Sequence, residues 1–142
     1  MKSKTIIAGL VGGVTFFLLG WIVYGALLMD FMKANYNNCA NRAETDMIWW
    51  ALILSNFIWG FLVAVVLSWG NTKGFMPGLQ RGLVLGFLFS AGYDLSMHSM
   101  LTVFLTTNAL IMDIVVNTLM TGVIGGVAGL VLGMEKKNAA GA

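Results

Sequence analysis

Four stretches of the chain are long and apolar enough to cross a lipid bilayer as helices, and this feature constrains the fold more than any other. A hydrocarbon core about 30 Å thick needs about 20 apolar residues in helical conformation. The four predicted helices run from about residue 5 to 29, 47 to 69, 82 to 106 and 109 to 134 of the 142 residues. Because little sequence is left over, we expect one domain, an all-α bundle of four transmembrane helices.

The composition excludes several other classes of protein. Hydrophobic residues make up 58% of the chain and charged residues only 10%, whereas a soluble domain carries about 25% charged residues. The net charge of +2 is too small for a surface that follows a nucleic-acid backbone. The single cysteine excludes an intrachain disulfide framework. We therefore expect a lipid bilayer around the chain and no nucleic-acid partner.

Lysine and arginine residues are distributed unevenly between the two sides of the predicted bundle. Short cytoplasmic loops carry an excess of these residues, and the side with both termini has six of them against two on the other side. This predicts cytoplasmic N- and C-termini (N-in/C-in) in a bacterial inner membrane. The first apolar run is longer than the core of a signal peptide, so we expect it to stay as an anchor. The six are Lys2, Lys4, Lys73, Arg81, Lys136 and Lys137, and the two are Lys33 and Arg42.

Small and polar residues recur at every fourth position in the third and fourth predicted helices. Small residues at this spacing let the backbones of membrane helices approach closely. We expect the glycine halves of the two helices to pack closely, either against each other or against a neighbouring subunit, and the first helix has a similar pair. The glycines are Gly78, Gly82 and Gly86 in the third helix, Gly125, Gly129 and Gly133 in the fourth, and Gly9 and Gly13 in the first.

The polar halves of the same two helices predict a buried site. At 1.5 Å per residue, His98, Asn117 and Asn56 lie about 12–14 Å inside the membrane, with Asp94 about one turn deeper and Asp113 about one turn nearer the outside. A charged group at mid-bilayer costs about 2.5–3.5 kcal/mol on insertion scales. These five residues are therefore a candidate functional site.

The spacing of Asp94 and His98 suggests what this site could do. Residues four apart meet on one helix face, and such an Asp–His pair can exchange a proton near neutral pH. Our leading hypothesis is a small proton- or ion-coupled channel or transporter, with Asn56 and Asn117 as polar partners and Asp113 at the outer mouth. The alternative is a structural or accessory membrane subunit, in which the same residues form a hydrogen-bonded network without turnover.

A third and more remote hypothesis is a redox or metal-binding membrane protein. Met97, His98 and Met100 carry thioether and imidazole groups, which suit copper(I). On a helix, however, Met97 points about 100° and Met100 about 160° away from His98, so the three cannot hold one ion by themselves. With one histidine and no convincing nucleophile, we expect no metal, no cofactor and no enzymatic activity.

Two segments carry a resemblance to a known family. Gly20-Trp21-x-x-Tyr24-Gly25, followed by Asp30-Phe31-Met32-Lys33, and the last helix from Asp113 into its glycine run are similar to a bacterial family of small four-helix membrane proteins without an assigned activity. The resemblance implies the fold and the membrane location only.

Two further expectations concern assembly. Four helices enclose too little volume for a wide pore, so a transport role would require a homo-oligomer or a membrane partner. Cys39 lies in the predicted outer loop, where it is either an inert thiol or a point of intermolecular disulfide or lipid attachment.

Overall fold

The computed structural model describes residues 3–39 and 41–134, and this part of the chain is helical apart from its connections. Three segments are long and apolar enough to cross a membrane, namely Ser3–Leu27, Trp49–Trp69 and Thr107–Gly133. The elements are α1 (Ser3–Ile22) with a π-helical turn (Val23–Leu27), α2 (Met29–Asn35), a 3-10 turn (Glu44–Asp46), α3 (Trp49–Trp69), α4 (Phe75–Met100) and α5 (Thr107–Gly133).

Helix α5 lies at the centre of the bundle. It packs along α4 and against α1, and α1 in turn packs along α3. Small and branched apolar side chains, among them Ala8, Ala64 and Ile124, are fully buried where these helices meet. Helices α3 and α4 scarcely touch each other, so a cleft remains between them above α5.

The glycine stripes of α4 and α5 face each other within the chain. A Cβ atom on Gly82 would stand 2.6 Å from the carbonyl oxygen of Thr121, and one on Gly125 would stand 2.8 Å from the Cα of Gly82. The backbone N–H of Gly74 donates to the carbonyl of Gly129 at 2.8 Å. The stripes are thus occupied by the chain's own hairpin rather than left open. Gly78 and Gly86 also face α5, and Gly133 faces the segment before α4.

Glycines also bring α1 and α3 together. The ring of Phe61 lies where a Cβ on Gly9 would stand, and a Cβ on Gly13 would stand 2.8 Å from the Cα of Phe57. Gly60 of α3 faces the backbone of Gly12 and Gly13 in return. Backbone contact of this kind is what small-residue spacing permits in membrane helices.

The third predicted helix has different bounds in the structure. It starts at Phe75 rather than near residue 82, because Pro77 falls in the first turn, where its missing N–H costs no hydrogen bond. The prediction that it continues to Thr106 is wrong, because the backbone of Leu101 is extended. The other three helices start and end within about two residues of the predicted bounds, counting the π-helical turn with α1.

The extended segment 101–106 ends the helix because it finds other partners for its backbone. The N–H of Asn37 donates to Val103 at 2.8 Å, and the N–H of Leu105 donates to Asn35 at 2.9 Å. Phe104 is buried there, with its ring edge-to-face on Tyr36 at 5.2 Å. We call residues 29–39 and 101–106 together the cover, since they lie over one end of the bundle.

Lys2, Lys136 and Lys137, which contribute to the predicted orientation, lie outside the described residues.

Candidate functional site

Two acidic residues meet at the end of the bundle that the cover closes. Asp94 lies six residues before the end of α4, and Asp113 lies six residues after the start of α5. In antiparallel helices both therefore lie about 9 Å from that end, and their carboxyl groups interact. Asp94 thus faces another acid across the helix contact.

Asp113 is held by three hydrogen-bond donors. Tyr24 donates to Oδ1 at 3.0 Å, and Tyr36 donates to the same oxygen at 2.8 Å. Asn117 donates to Oδ2 at 2.9 Å and also to the hydroxyl of Tyr24 at 2.9 Å. Both oxygens of this carboxyl group therefore have hydrogen-bond partners. The arrangement also ties α1, the cover and α5 together at one point.

Tyr24 reaches this position from an irregular part of the first helix. It lies in the π-helical turn, where the N–H of Leu28 bonds to the carbonyl of Val23 at 2.8 Å. Turns of this type occur frequently at functional sites. Tyr24 lies eleven residues, or about three helical turns, after Gly13. The two residues therefore lie on the same face of the first helix, which packs on the other helices, and the Tyr24 hydroxyl points into the bundle.

Tyr36 reaches the same carboxylate from the cover. It follows α2, and its ring is fixed by Phe104. Burial raises the pKa of the Tyr36 hydroxyl above its usual range, and the hydrogen bond to Asp113 and the charge of that residue add smaller increases. The group therefore remains a hydrogen-bond donor throughout the physiological pH range.

Asp94 has a different environment from Asp113. It is 5% exposed, and its Oδ2 atom has no hydrogen-bond partner among the described residues. Buried polar atoms are nearly always paired, and leaving one unpaired costs about 1–3 kcal/mol, or more for a charged group. Asp94 is thus the acid of this site that is open to an additional ligand.

The cleft between α3 and α4 leads to Asp94. Its volume is about 370 Å³, and α5 forms its floor with Asp113, Asn117 and Thr121. Trp59 of α3 crosses it to meet Phe89 of α4 edge-to-face, with ring centroids 4.5 Å apart. The cleft therefore combines apolar and aromatic walls with an acidic end.

The structure does not bring all five predicted site residues together. Asp94, Asp113 and Asn117 line the cleft. Asn56 is buried, but its amide donates to Leu52 on its own helix at 2.6 Å and does not line the cleft. His98 is exposed, with its ring 6.3 Å from that of Phe104.

The position of His98 corrects the predicted pairing with Asp94. Because α4 ends at Met100, His98 lies two residues from the end of this helix, beside Phe104 of the cover. No hydrogen bond joins it to Asp94 in the part of the chain that the structure describes. The interacting neighbour of Asp94 is Asp113. Within residues 3–39 and 41–134, no group of three or more His, Cys, Asp or Glu side chains is placed to hold a metal ion.

Sequence reasoning missed both tyrosines. Tyr24 could have been found from its spacing to Gly13, because the two share a helix face. Tyr36 carries no such signal, because only the pairing of the cover positions it. Ser90, four residues after Gly86 on α4, also lines the cleft, and its hydroxyl donates to the carbonyl of Gly86 at 2.7 Å.

Comparisons of the chain with protein-family models, with curated proteins and with solved structures gave no match.

Proposed function

We propose that the protein is a small proton- or ion-coupled transporter or channel of a bacterial inner membrane, in which Asp94 takes up and releases the coupled ion. The observation that carries this proposal is the buried carboxyl of Asp94, which has an unpartnered oxygen and faces a cleft of about 370 Å³. Ionisable residues buried within membrane helices typically mark ion pathways.

The two acids have different roles in this proposal. Asp113 already accepts bonds from Tyr24, Tyr36 and Asn117, so it is the fixed charge of the site. Asp94 lacks such donors, and a second negative charge beside Asp113 is unfavourable in an apolar surrounding. A proton or another cation on Asp94 removes that repulsion. Exchange of this ion with the cleft is the elementary transport step.

The proposal includes four membrane crossings with cytoplasmic termini. Helix α4 is the least apolar of the long helices, but it runs antiparallel to α5 along a continuous line of contacts from Gly74 to Asp94. Its small and polar residues face α5 rather than lipid. Because α5 is long and apolar enough to cross a membrane, the helix packed along it crosses with it.

The native cysteine offers a test of this orientation. Cys39 is the only cysteine in the sequence and is an exposed residue of the cover. We expect a membrane-impermeant maleimide to label it in intact spheroplasts. In a Cys39→Ser background, a cysteine replacing the exposed Lys73 at the opposite end should be labelled only after the membrane is permeabilised. The reverse pattern would overturn the N-in/C-in orientation, and labelling of both positions in intact cells would overturn the four crossings.

Ion flux into proteoliposomes tests the function itself. We expect the purified protein to carry protons, sodium or potassium down an imposed gradient faster than protein-free vesicles do. Asp94→Asn should reduce the flux to the protein-free level, because the amide cannot bind and release the ion. Glu44→Gln, which removes an exposed acid that does not line the cleft, should leave the flux unchanged.

The same assay decides against the alternative function. Flux that is equal in Asp94→Asn and wild type would remove Asp94 from the pathway. A wild-type protein with no flux for any of these ions would favour an accessory subunit without turnover, in which the Asp113 network only fixes helix positions. A homo-oligomer or membrane partner would have to contact a face other than the glycine stripes, because α4 and α5 occupy them.

A further inference from the structure

We infer that the cleft binds a lipophilic organic cation, held between the Asp94 carboxylate and the aromatic rings of Trp59, Phe89 and Tyr93. This inference rests on the proposed function and specifies its substrate class. It begins from the unpartnered Oδ2 of Asp94, which is nine-tenths or more buried and lies at the acidic end of the cleft.

The charges around Asp94 favour a positive ligand. The titratable groups that interact with it are Asp113 of α5, Tyr24 of the π-helical turn and Tyr36 of the cover. His98 lies one turn further along α4, and α3 contains no titratable side chain. The site therefore has two acids and no basic group in the part of the chain that the structure describes. A cation in the cleft would balance this charge.

The aromatic side chains favour an organic cation in particular. Trp59 and Phe89 meet at 4.5 Å between ring centroids, and Phe89 stacks on Tyr93 at 6.1 Å with an interplanar angle of 12°. Aromatic faces attract cations within about 6 Å, and quaternary ammonium groups are bound by such clusters. The aromatic cluster and the carboxylate line one cleft.

Calcium and magnesium ions suit this cleft poorly. Calcium and magnesium take six or more oxygen ligands, whereas the walls include Leu62, Val63 and Leu85. The volume of about 370 Å³ lies in the range of small-molecule sites, which are mostly apolar with a few polar groups. An organic cation is weakly hydrated, so few protein ligands are needed to replace its water. Its apolar groups can also pack against these walls.

The position of the cleft provides a route for such a ligand. It lies between α3 and α4, which scarcely touch, and Phe89 and Tyr93 are 43% and 55% exposed. Both side chains lie on α4, which crosses the membrane in the proposed function, so the cleft opens sideways toward lipid in that arrangement. A cation that dissolves in the bilayer can enter from there without passing through the cover.

Binding of the cation and of a proton then exclude each other. When Asp94 is protonated, the incoming cation displaces the proton and leaves a carboxylate–cation pair. The exchange is one proton released for one monovalent cation bound, so no net charge accumulates in the site. Asp113 keeps its three donors throughout.

Equilibrium dialysis with tetraphenylphosphonium tests the inference. Protein in detergent micelles is dialysed against protein-free micelles, which corrects for partitioning. We expect saturable binding of one cation per chain with release of about one proton in weak buffer. Asp94→Asn should lower the affinity more than about tenfold, or about 1.4 kcal/mol, while Glu44→Gln binds as wild type. Trp59→Leu should weaken binding severalfold through loss of the cation–π contact.

The controls separate charge from shape and size. Tetraphenylborate has the same shape and the opposite charge, so it should show no saturable binding, and the smaller benzyltrimethylammonium should bind like the first probe. Three results would overturn the inference. The borate could bind as tightly as the phosphonium, the phosphonium could bind equally well to Asp94→Asn, or neither cation could bind. If ion flux depends on Asp94 but neither cation binds, the inference of an organic cation is wrong and the proposed function stands. If the cations bind but no ion flux is measured, the proposed function is wrong and the inference stands.

Discussion

Gly82→Ala should destabilise the folded protein by about 1–3 kcal/mol, the usual cost of overpacking a core. The added Cβ would stand 2.6 Å from the carbonyl oxygen of Thr121 and 3.1 Å from the Cα of Gly122. Both are backbone atoms of α5 and cannot rotate away. The two helices must therefore move apart, which weakens the contacts along the stripe and displaces Asp94 from Asp113.

Gly92→Ala is the matched control for this prediction. Gly92 lies on the same helix, and a Cβ added there would meet nothing within 4 Å. The substitution should leave stability unchanged or raise it by up to about 1 kcal/mol, since alanine is the better helix former. The measurement is thermal unfolding of both variants in the same detergent. Equal stabilities would contradict the close contact of α4 with α5.

Asp113→Asn should destabilise the protein by about 2 kcal/mol, while Asp94→Asn should be neutral or stabilising. Asp113 accepts bonds from Tyr24, Tyr36 and Asn117. In Asp113→Asn the remaining carbonyl oxygen still accepts from both tyrosines, but these bonds lose their charge assistance. The new amide group replaces the acceptor of Asn117 and faces its amide, and leaving buried donors unpaired costs about 1–3 kcal/mol. At Asp94 one carboxyl oxygen has no partner among the described residues, and the same change removes an acid that is buried next to Asp113.

Thermal unfolding in detergent compares these two variants directly, and Tyr36→Phe extends the comparison. Removing this hydroxyl should lower stability by less than Asp113→Asn does, because Tyr24 and Asn117 still hold the carboxylate. If Asp94→Asn unfolds at a temperature as low as Asp113→Asn, Asp94 belongs to the structural network, and the division of roles between the two acids is wrong.

The three apolar helices were predictable because their signal is local. Hydropathy over about 20 residues identifies a membrane-crossing segment without reference to the rest of the fold. Glycine spacing likewise identifies the helix faces that pack closely, because small residues at every fourth position lie on one side of their own helix. The structure places Gly82 and Gly125 against each other on those faces.

The partner of Asp94 was not predictable in the same way. The i, i+4 spacing favours His98, but spacing within a helix does not show where that helix ends. Segment 101–106 becomes extended because its backbone bonds to residues 35–37, more than sixty positions earlier in the chain. That distant pairing moves the end of α4 to Met100 and leaves Asp94 level with Asp113.

The sequence by itself determined that this is an all-helical protein with long apolar segments, and that two acids lie within its long helices. These properties depend on residue type and period, which are fixed along the chain. Only the tertiary structure decided that Tyr24 and Tyr36 hold Asp113, that Asp94 keeps an unpartnered oxygen, and that a cleft leads to it. The physical reason is that hydrogen-bond partners and cavities arise where segments distant in sequence meet.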